Sequence, residues 1–301
     1  MKKLLAFIIS FTIVFTFSAP FCHAQEDEKL NYLLLGDSIA QGYGVKNRDE
    51  ASFGKIVADT NGYNYENLAR TATDTSDWLA YLERDYVIEA VEKADIISLS
   101  VGSNDYLASS DVVLLGAQSL FGYTGEIKAR EENIYENFSK IIPRIYEINP
   151  DVTLLVNNVY VAWRFIGKKI FTDATTCVND VYDRYLEKYP GAFYLVDFAS
   201  ALNDRPDYIA DDCVHPNAKG NIALAKVTLE KLKEIGVGEN TEPVVLVEGI
   251  DYNFYIETYG KALGMFLTIL IKTLTGNLFD YYPFPIWPKN AVLISLRFFL
   301  I

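Results

Sequence analysis

Short apolar runs alternate with longer stretches of helical spacing from residue 32 to residue 236. Tyr32-Leu33-Leu34-Leu35, ending in Gly36, predicts a buried strand. Ser52 to Asp59 predicts a helix, stopped at Asn61-Gly62. Tyr65 to Leu68 predicts a second strand. Thr75 or Ser76 can cap a helix through Trp78, Leu79 and Leu82, and another helical stretch reaches Val91. Ile96 to Val101 is the clearest strand and ends at Gly102. Asn133 to Ile148 carries helical apolar spacing, with Pro143 as a point of kinking. Then come a strand from Val152 to Val156, a helix from Asp173 to Tyr189 and a strand from Phe193 to Val196. Pro216 opens a last helix that ends near Gly236.

Strands that are apolar on both sides and alternate with helices predict an α/β fold. A doubly wound parallel sheet, with helices on both faces, buries such strands. In that architecture functional side chains gather at the carboxyl ends of the strands. Ser38 follows the first strand, Asn104 the third, and Asp212 and His215 the last.

The flanks read differently. Met1-Lys2-Lys3 followed by the uncharged Leu4 to Phe17 predicts a signal peptide over residues 1–24, cleaved after Ala24. Residues 25–236 form the main domain and 237–245 read as a linker. Residues 246–301 are an apolar, aromatic-rich C-terminal tail. Ala262 to Phe279 is interrupted by Lys272 and is too short to span a bilayer. The tail is expected to pack on the main domain, or to contact a membrane surface or partner peripherally.

Half of the chain's 301 residues are hydrophobic and 22% are charged, enough for a full core. The net charge of -13 excludes a basic footprint for nucleic acid. Cleavage removes Lys2 and Lys3 and no acid, which moves the charge to -15. It also removes Cys22 and His23, so Cys177, Cys213 and His215 remain. Two thiols and one histidine cannot close a structural zinc site unless carboxylates complete it. Secretion permits a Cys177–Cys213 bridge without requiring one. No cofactor or metal is expected. Gly42 and Gly44 have the wrong spacing for a dinucleotide fingerprint.

A serine hydroxyl becomes a useful nucleophile when a base takes its proton, and imidazole is suited to that near neutral pH. His215 is the one histidine available after cleavage. Ser38 is not within Gly-x-Ser-x-Gly, which disfavours the nucleophile-elbow hydrolases. Gly36-Asp37-Ser38, Gly102-Ser103-Asn104-Asp105 and Asp212-Cys213-Val214-His215 instead resemble, in order and context, the motifs of the SGNH (GDSL) hydrolases over about residues 32–236. The resemblance implies a flavodoxin-like three-layer sandwich. It implies Ser38 as nucleophile, His215 as general base and acid, and Asp212 as the carboxylate that orients the imidazole. Asp211 competes with Asp212, and the family spacing favours Asp212. The implied oxyanion donors are the Ser38 backbone N–H, the Asn104 side-chain amide and a loop N–H. That last position is a glycine in the family and Ala72 here. If the loop needs positive φ, alanine is strained there. Asp37 and Asp105 are expected to order loops. Trp78, Tyr106, Tyr160 and Trp163 either line a substrate pocket or pack in the core.

The expected function is a secreted serine esterase acting through an acyl-enzyme. Its substrate would be an acyl or acetyl ester, small or polysaccharide-linked. The alternatives are a lipase or thioesterase of the same family, and a non-catalytic binding module on a degenerate fold of this type.

Overall fold

The computed structural model describes residues 29–107, 125–161 and 168–254. Residues 1–24, expected to be a signal peptide, Trp163 and the tail beyond residue 254 lie outside the described residues. Five strands form one parallel sheet: β1 (Asn31–Gly36), β2 (Asn64–Asn67), β3 (Ile96–Ser100), β4 (Thr153–Asn157) and β5 (Tyr194–Val196). Their order is β2-β1-β3-β4-β5, with every neighbouring pair parallel. This is the flavodoxin-like order, whose direction of winding reverses between β1 and β3 and opens a crevice there.

Seven helices concern the argument: α1 (Ser38–Gln41), α2 (Phe53–Asn61), α3 (Thr75–Tyr81), α4 (Asp85–Lys93), α5 (Gly125–Ile148), α6 (Lys168–Lys188) and α7 (Ala218–Glu234). The period of two along each strand sends alternate side chains to opposite faces. Leu33, Leu35, Ile97, Leu99, Leu154 and Val156 pack in one core with helical residues such as Trp78, Val91, Phe138 and Tyr182. Tyr32, Leu34, Ile96, Leu155 and Val196 pack in the other with Phe53, Val57, Leu224 and Leu229. The sheet is therefore covered on both sides.

Element ends differ from the expectations in instructive ways. The α3 cap is Asp74, not Thr75 or Ser76. Asp74 Oδ1 accepts from Asp77 N at 2.9 Å, and Asp77 Oδ2 accepts from Asp74 N at 3.1 Å. This is a reciprocal capping box, and loss of such a cap costs about 1 kcal/mol. Thr75 is free to bond elsewhere and donates to Asp105. The helix expected from Asn133 begins at Gly125, because its first turns bury only Ile127 and carry polar side chains elsewhere. The last helix is capped by Asn217, whose Oδ1 accepts from Gly220 N at 3.0 Å, so Pro216 stands just outside it. Cys177 and Cys213 are both thiols, with no disulfide between them.

After α7 the chain turns back along the body. Asn61 Oδ1 accepts from Asn240 N at 3.1 Å, and Thr60 Oγ1 accepts from Val244 N at 2.9 Å. The stretch read as a linker is thus hydrogen-bonded to the end of α2.

Candidate active site

Ser38 stands directly after β1, at the first position of α1. Asp37 makes this possible. Its N–H donates to Ser100 O at 3.0 Å, and its Oδ1 accepts from Ile39 N at 2.9 Å, capping α1. Gly36 has φ 133°, and a Cβ there would lie 2.1 Å from Ser100 O, so only glycine admits the close pass of β1 and β3. The backbone N–H of Ser38 belongs to the first turn of a helix, where such donors have no intrahelical acceptor.

His215 lies 177 residues further along the chain, between β5 and α7, yet its Nε2 is 2.8 Å from Ser38 Oγ. Its Nδ1 is hydrogen-bonded to Asp212 Oδ2. Asp212 Oδ1 also accepts from Val214 N at 3.0 Å and His215 N at 3.1 Å, which fixes the carboxylate within one turn. Burial pushes the Asp212 carboxyl up. The His215 hydrogen bond and charge, with the two backbone N–H groups, outweigh it and hold the group below the usual carboxylate range. Asp212 thus remains a charged partner for an imidazolium. The turn also places Cys213 at φ 62°. On the opposite side Gly44 lies against this loop, where a Cβ would sit 1.8 Å from Pro216 O and 3.3 Å from His215 Cβ.

The remaining predicted residues converge from β2 and β3. Thr73 N donates to Arg70 O at 3.4 Å, closing a turn in which Ala72 has φ 65°. A positive φ at the third position is what a type II turn requires, and glycine meets it without strain. The alanine is therefore strained, at a cost on the order of 1 kcal/mol. Thr73 Oγ1 donates to Gly36 O at 3.1 Å and to Arg70 O at 2.8 Å, lashing the turn to the end of β1. Asn104 follows β3, and its Nδ2 donates to Thr73 O at 2.9 Å. An amide nitrogen carries two hydrogens, so one remains for a further acceptor.

Asp37 and Asp105 hold loops, and neither touches Ser38 Oγ. Asp105 accepts from Thr75 N at 3.1 Å and Thr75 Oγ1 at 2.6 Å. Trp78, Tyr106 and Tyr160 are core residues, 1%, 3% and 7% exposed. Tyr160 has a positional role as well, its hydroxyl donating to Val214 O at 2.8 Å. The aromatic side chains that do flank His215 are Tyr43 and Phe254, at ring separations of 5.0 and 5.7 Å. Sequence reasoning missed both. Tyr43 sits in a glycine-rich turn and Phe254 in the tail, and nothing local marks either. Asp211, the competitor to Asp212 in the sequence, accepts from Phe254 N at 3.0 Å. Among the described residues, no group of three metal-ligating side chains is placed to hold an ion.

Burial drives the Asp37 carboxyl up to about 6, against the pull of the Ile39 N–H and the His215 charge. Its folded value exceeds the ordinary 3.8, so the native state binds the extra proton between those values. This contribution to stability is present below the unfolded value and is lost as pH rises through the folded one. Asp37→Asn keeps an oxygen for the α1 cap and removes the titration. Its denaturation midpoint, measured relative to wild type, should therefore improve as pH is raised from about 4 to about 7. A difference that does not change with pH would show that Asp37 ionises freely in the fold.

A model of the GDSL-like lipase/acylhydrolase family matches residues 34–222. The spore germination lipase LipC of Bacillus licheniformis is 26% identical over 227 residues, covering 69% of this chain and 97% of that protein. A lipase from a goat rumen metagenome superposes with a TM-score of 0.53 at 24% identity, covering 70% of this chain and 99% of that one. An extracellular lipase from Streptomyces rimosus gives 0.54 at 16% identity, covering 68% and 99%. The two structures share the fold.

Proposed function

The chain belongs to the GDSL-like lipase/acylhydrolase family, a family of serine ester hydrolases, and from that premise we propose that Ser38, His215 and Asp212 hydrolyse an ester through an acyl-enzyme. The observation that carries this reading is the 2.8 Å contact of Ser38 Oγ with His215 Nε2, in a ring whose Nδ1 is held by Asp212. His215 Nε2 takes the serine proton as Oγ attacks the ester carbonyl. The same proton then passes to the departing alkoxide, which leaves as alcohol. Water, deprotonated by His215, attacks the acyl-Ser38 carbonyl, and the acid leaves as His215 returns that proton to Ser38 Oγ. The Ser38 and Ala72 N–H groups and the free hydrogen of Asn104 supply donors for the oxyanion at each tetrahedral stage. Asp212 stays ionised and stabilises the imidazolium.

The substrate is an acyl or acetyl ester. A polar cleft on the Asn104 side, lined also by Asp74, Ser76, Asp105, Arg130, Asn133, Glu136 and Asn137 and by no residue of the triad, suits a hydroxyl-rich group and is what supports a carbohydrate-linked ester. A second reading, lipase, is favoured by the name of the Bacillus licheniformis relative and by the aromatic rings beside His215. The protein is secreted, a reading that rests on the apolar N-terminal segment and the small residue at Ala24. A mature N-terminus at any residue other than Gln25 would refute cleavage after Ala24. Fluorophosphonate should label wild-type protein at Ser38, and an unlabelled folded protein would favour a binding module. Nitrophenyl esters of rising chain length, assayed beside acetylated polysaccharide, then separate the two substrate readings.

Asp212→Asn is expected to reduce kcat by about 10³- to 10⁴-fold, as loss of the orienting carboxylate does in serine triads. Asp211→Asn should change kcat little, since an amide oxygen can still accept from Phe254 N. The reverse ranking in steady-state kinetics would transfer the orienting role to Asp211. Because only a neutral imidazole accepts the serine proton, kcat/KM should rise from acid toward neutral pH. A flat profile would remove His215 as the base.

A further inference from the structure

We propose that residues 246–254 complete the active site and that Phe254 is a positioning residue holding the His215 ring, an inference that rests on the triad reading above. The family match ends at residue 222, so this segment lies beyond it. The segment is fastened from Glu248 onward to the site. Asn47 donates through Nδ2 to Glu248 O at 3.0 Å and accepts through Oδ1 from Ile250 N at 2.8 Å. Lys46 N donates to Ile250 O at 2.8 Å and Tyr252 N to Gly44 O at 2.9 Å, an antiparallel pairing of Val45 with Asp251. Asp251 Oδ1 accepts from Ala218 N, at the first residue of α7, at 2.8 Å. The path ends where Phe254 N meets Asp211 Oδ1, one residue before Asp212.

These ties fix two aromatic rings at the catalytic histidine. Phe254 stacks on the imidazole, with ring planes 19° apart and centroids at 5.7 Å. Tyr43 approaches the same imidazole at 5.0 Å and 59°. Tyr252 packs on Phe254 at 4.4 Å and on Tyr43 at 6.0 Å, closing an aromatic cluster around the ring. Asp212 holds Nδ1 and Ser38 Oγ meets Nε2, but once Oγ turns to the ester carbonyl only the Nδ1 bond is left, and the imidazole can swing about it. Flat rings packed beside it restrict that swing and keep Nε2 aimed at Ser38 Oγ. Aromatic faces also favour a cation, and His215 becomes one as it takes the serine proton. Both effects act on the transition state more than on bound ester, so they belong in kcat.

The test uses the full chain and separates packing from stacking. Phe254→Leu keeps apolar bulk and removes the flat ring, whereas Phe254→Tyr keeps the ring. Phe254→Leu should lower kcat about 10-fold with KM nearly unchanged, and should slow fluorophosphonate labelling of Ser38 by a similar factor. The low-field proton of the His215 Nδ1–Asp212 bond should broaden in its NMR spectrum. Phe254→Tyr should restore all three. Wild-type rates for Phe254→Leu, or equal losses for Leu and Tyr, would overturn the assignment. A raised KM at constant kcat would overturn it too, by making Phe254 a substrate contact. Failure of the triad reading is distinguishable, because wild-type protein would then not label at Ser38 at all.

Discussion

Ser38→Ala and His215→Ala are each expected to lower kcat for ester hydrolysis by about 10⁴- to 10⁶-fold while leaving the fold intact. The size follows from what each removal does to the chemistry. Without Oγ no acyl-enzyme forms, and without the imidazole no group at 2.8 Å takes the hydroxyl proton. The two losses should not add. A Ser38→Ala/His215→Ala protein should be about as slow as either single variant, because the residues act as one unit. The residual rate then reports the oxyanion donors alone. The fold should tolerate both changes. Ser38 donates no side-chain bond to the core, and the α1 cap comes from Asp37. His215 is held by its backbone as well as its ring, through His215 N to Asp212 Oδ1 and Ala210 N to His215 O. Circular dichroism and thermal unfolding check this, and turnover above about a tenth of wild type in either folded variant would end the triad assignment.

The alternation that made the fold legible also made these residues legible. β1 and β4 carry apolar residues on both faces, and β3 is buried on both although Ser98 and Ser100 lie on one of them, and such runs stand out in a sequence. β2 is a half-exposed edge strand and gives a weaker signal. Once a parallel sheet is expected, carboxyl strand ends become one place in space. Ser38, Ala72, Asn104 and His215 all follow strands, so residues far apart in the chain are brought to one end of the sheet. His215 needed no competitor ruled out, being the sole histidine past residue 23. The φ of Ala72 was left open by the sequence, because only the resemblance put a glycine at that position; the fold sets it at 65°.

What was not legible depends on contacts without a local pattern. α1 has four residues, too few for any periodicity to show. The early turns of α5 are polar because they bury one side chain. Residues 237–254 contain Pro243, charges and exposed aliphatic residues, so they read as linker and tail. Their fastening uses backbone groups and the side chains of Asn47, Asn61 and Asp211, none of which announces a partner some forty to two hundred residues away. Phe254 beside His215 is therefore visible only in the folded chain.

Asn104→Ala is expected to reduce kcat by about 10²- to 10³-fold with little change in KM. An oxyanion donor acts on charge that appears only as the tetrahedral intermediate forms, so its loss shows in turnover and not in ground-state binding. The geometry sharpens this expectation. Asn104 Nδ2 already donates one hydrogen to Thr73 O at 2.9 Å, which orients the amide so that its second hydrogen is presented in a fixed direction. That same bond ties Asn104 to the turn bearing Ala72, so the two donors are coupled through Thr73. Ala72→Gly is the companion measurement. At φ 65° glycine is unstrained, so the variant relieves on the order of 1 kcal/mol of strain, offset by about 0.4–1 kcal/mol for the added freedom of its unfolded chain, and its stability should change by less than about 1 kcal/mol. If strain also misplaces the Ala72 N–H, kcat should rise in Ala72→Gly, and the penalty of Asn104→Ala should shrink in that background as the loop donor takes up more of the load. An Asn104→Ala enzyme with unchanged kcat and a raised KM would make Asn104 a substrate contact and leave the oxyanion to backbone N–H groups alone.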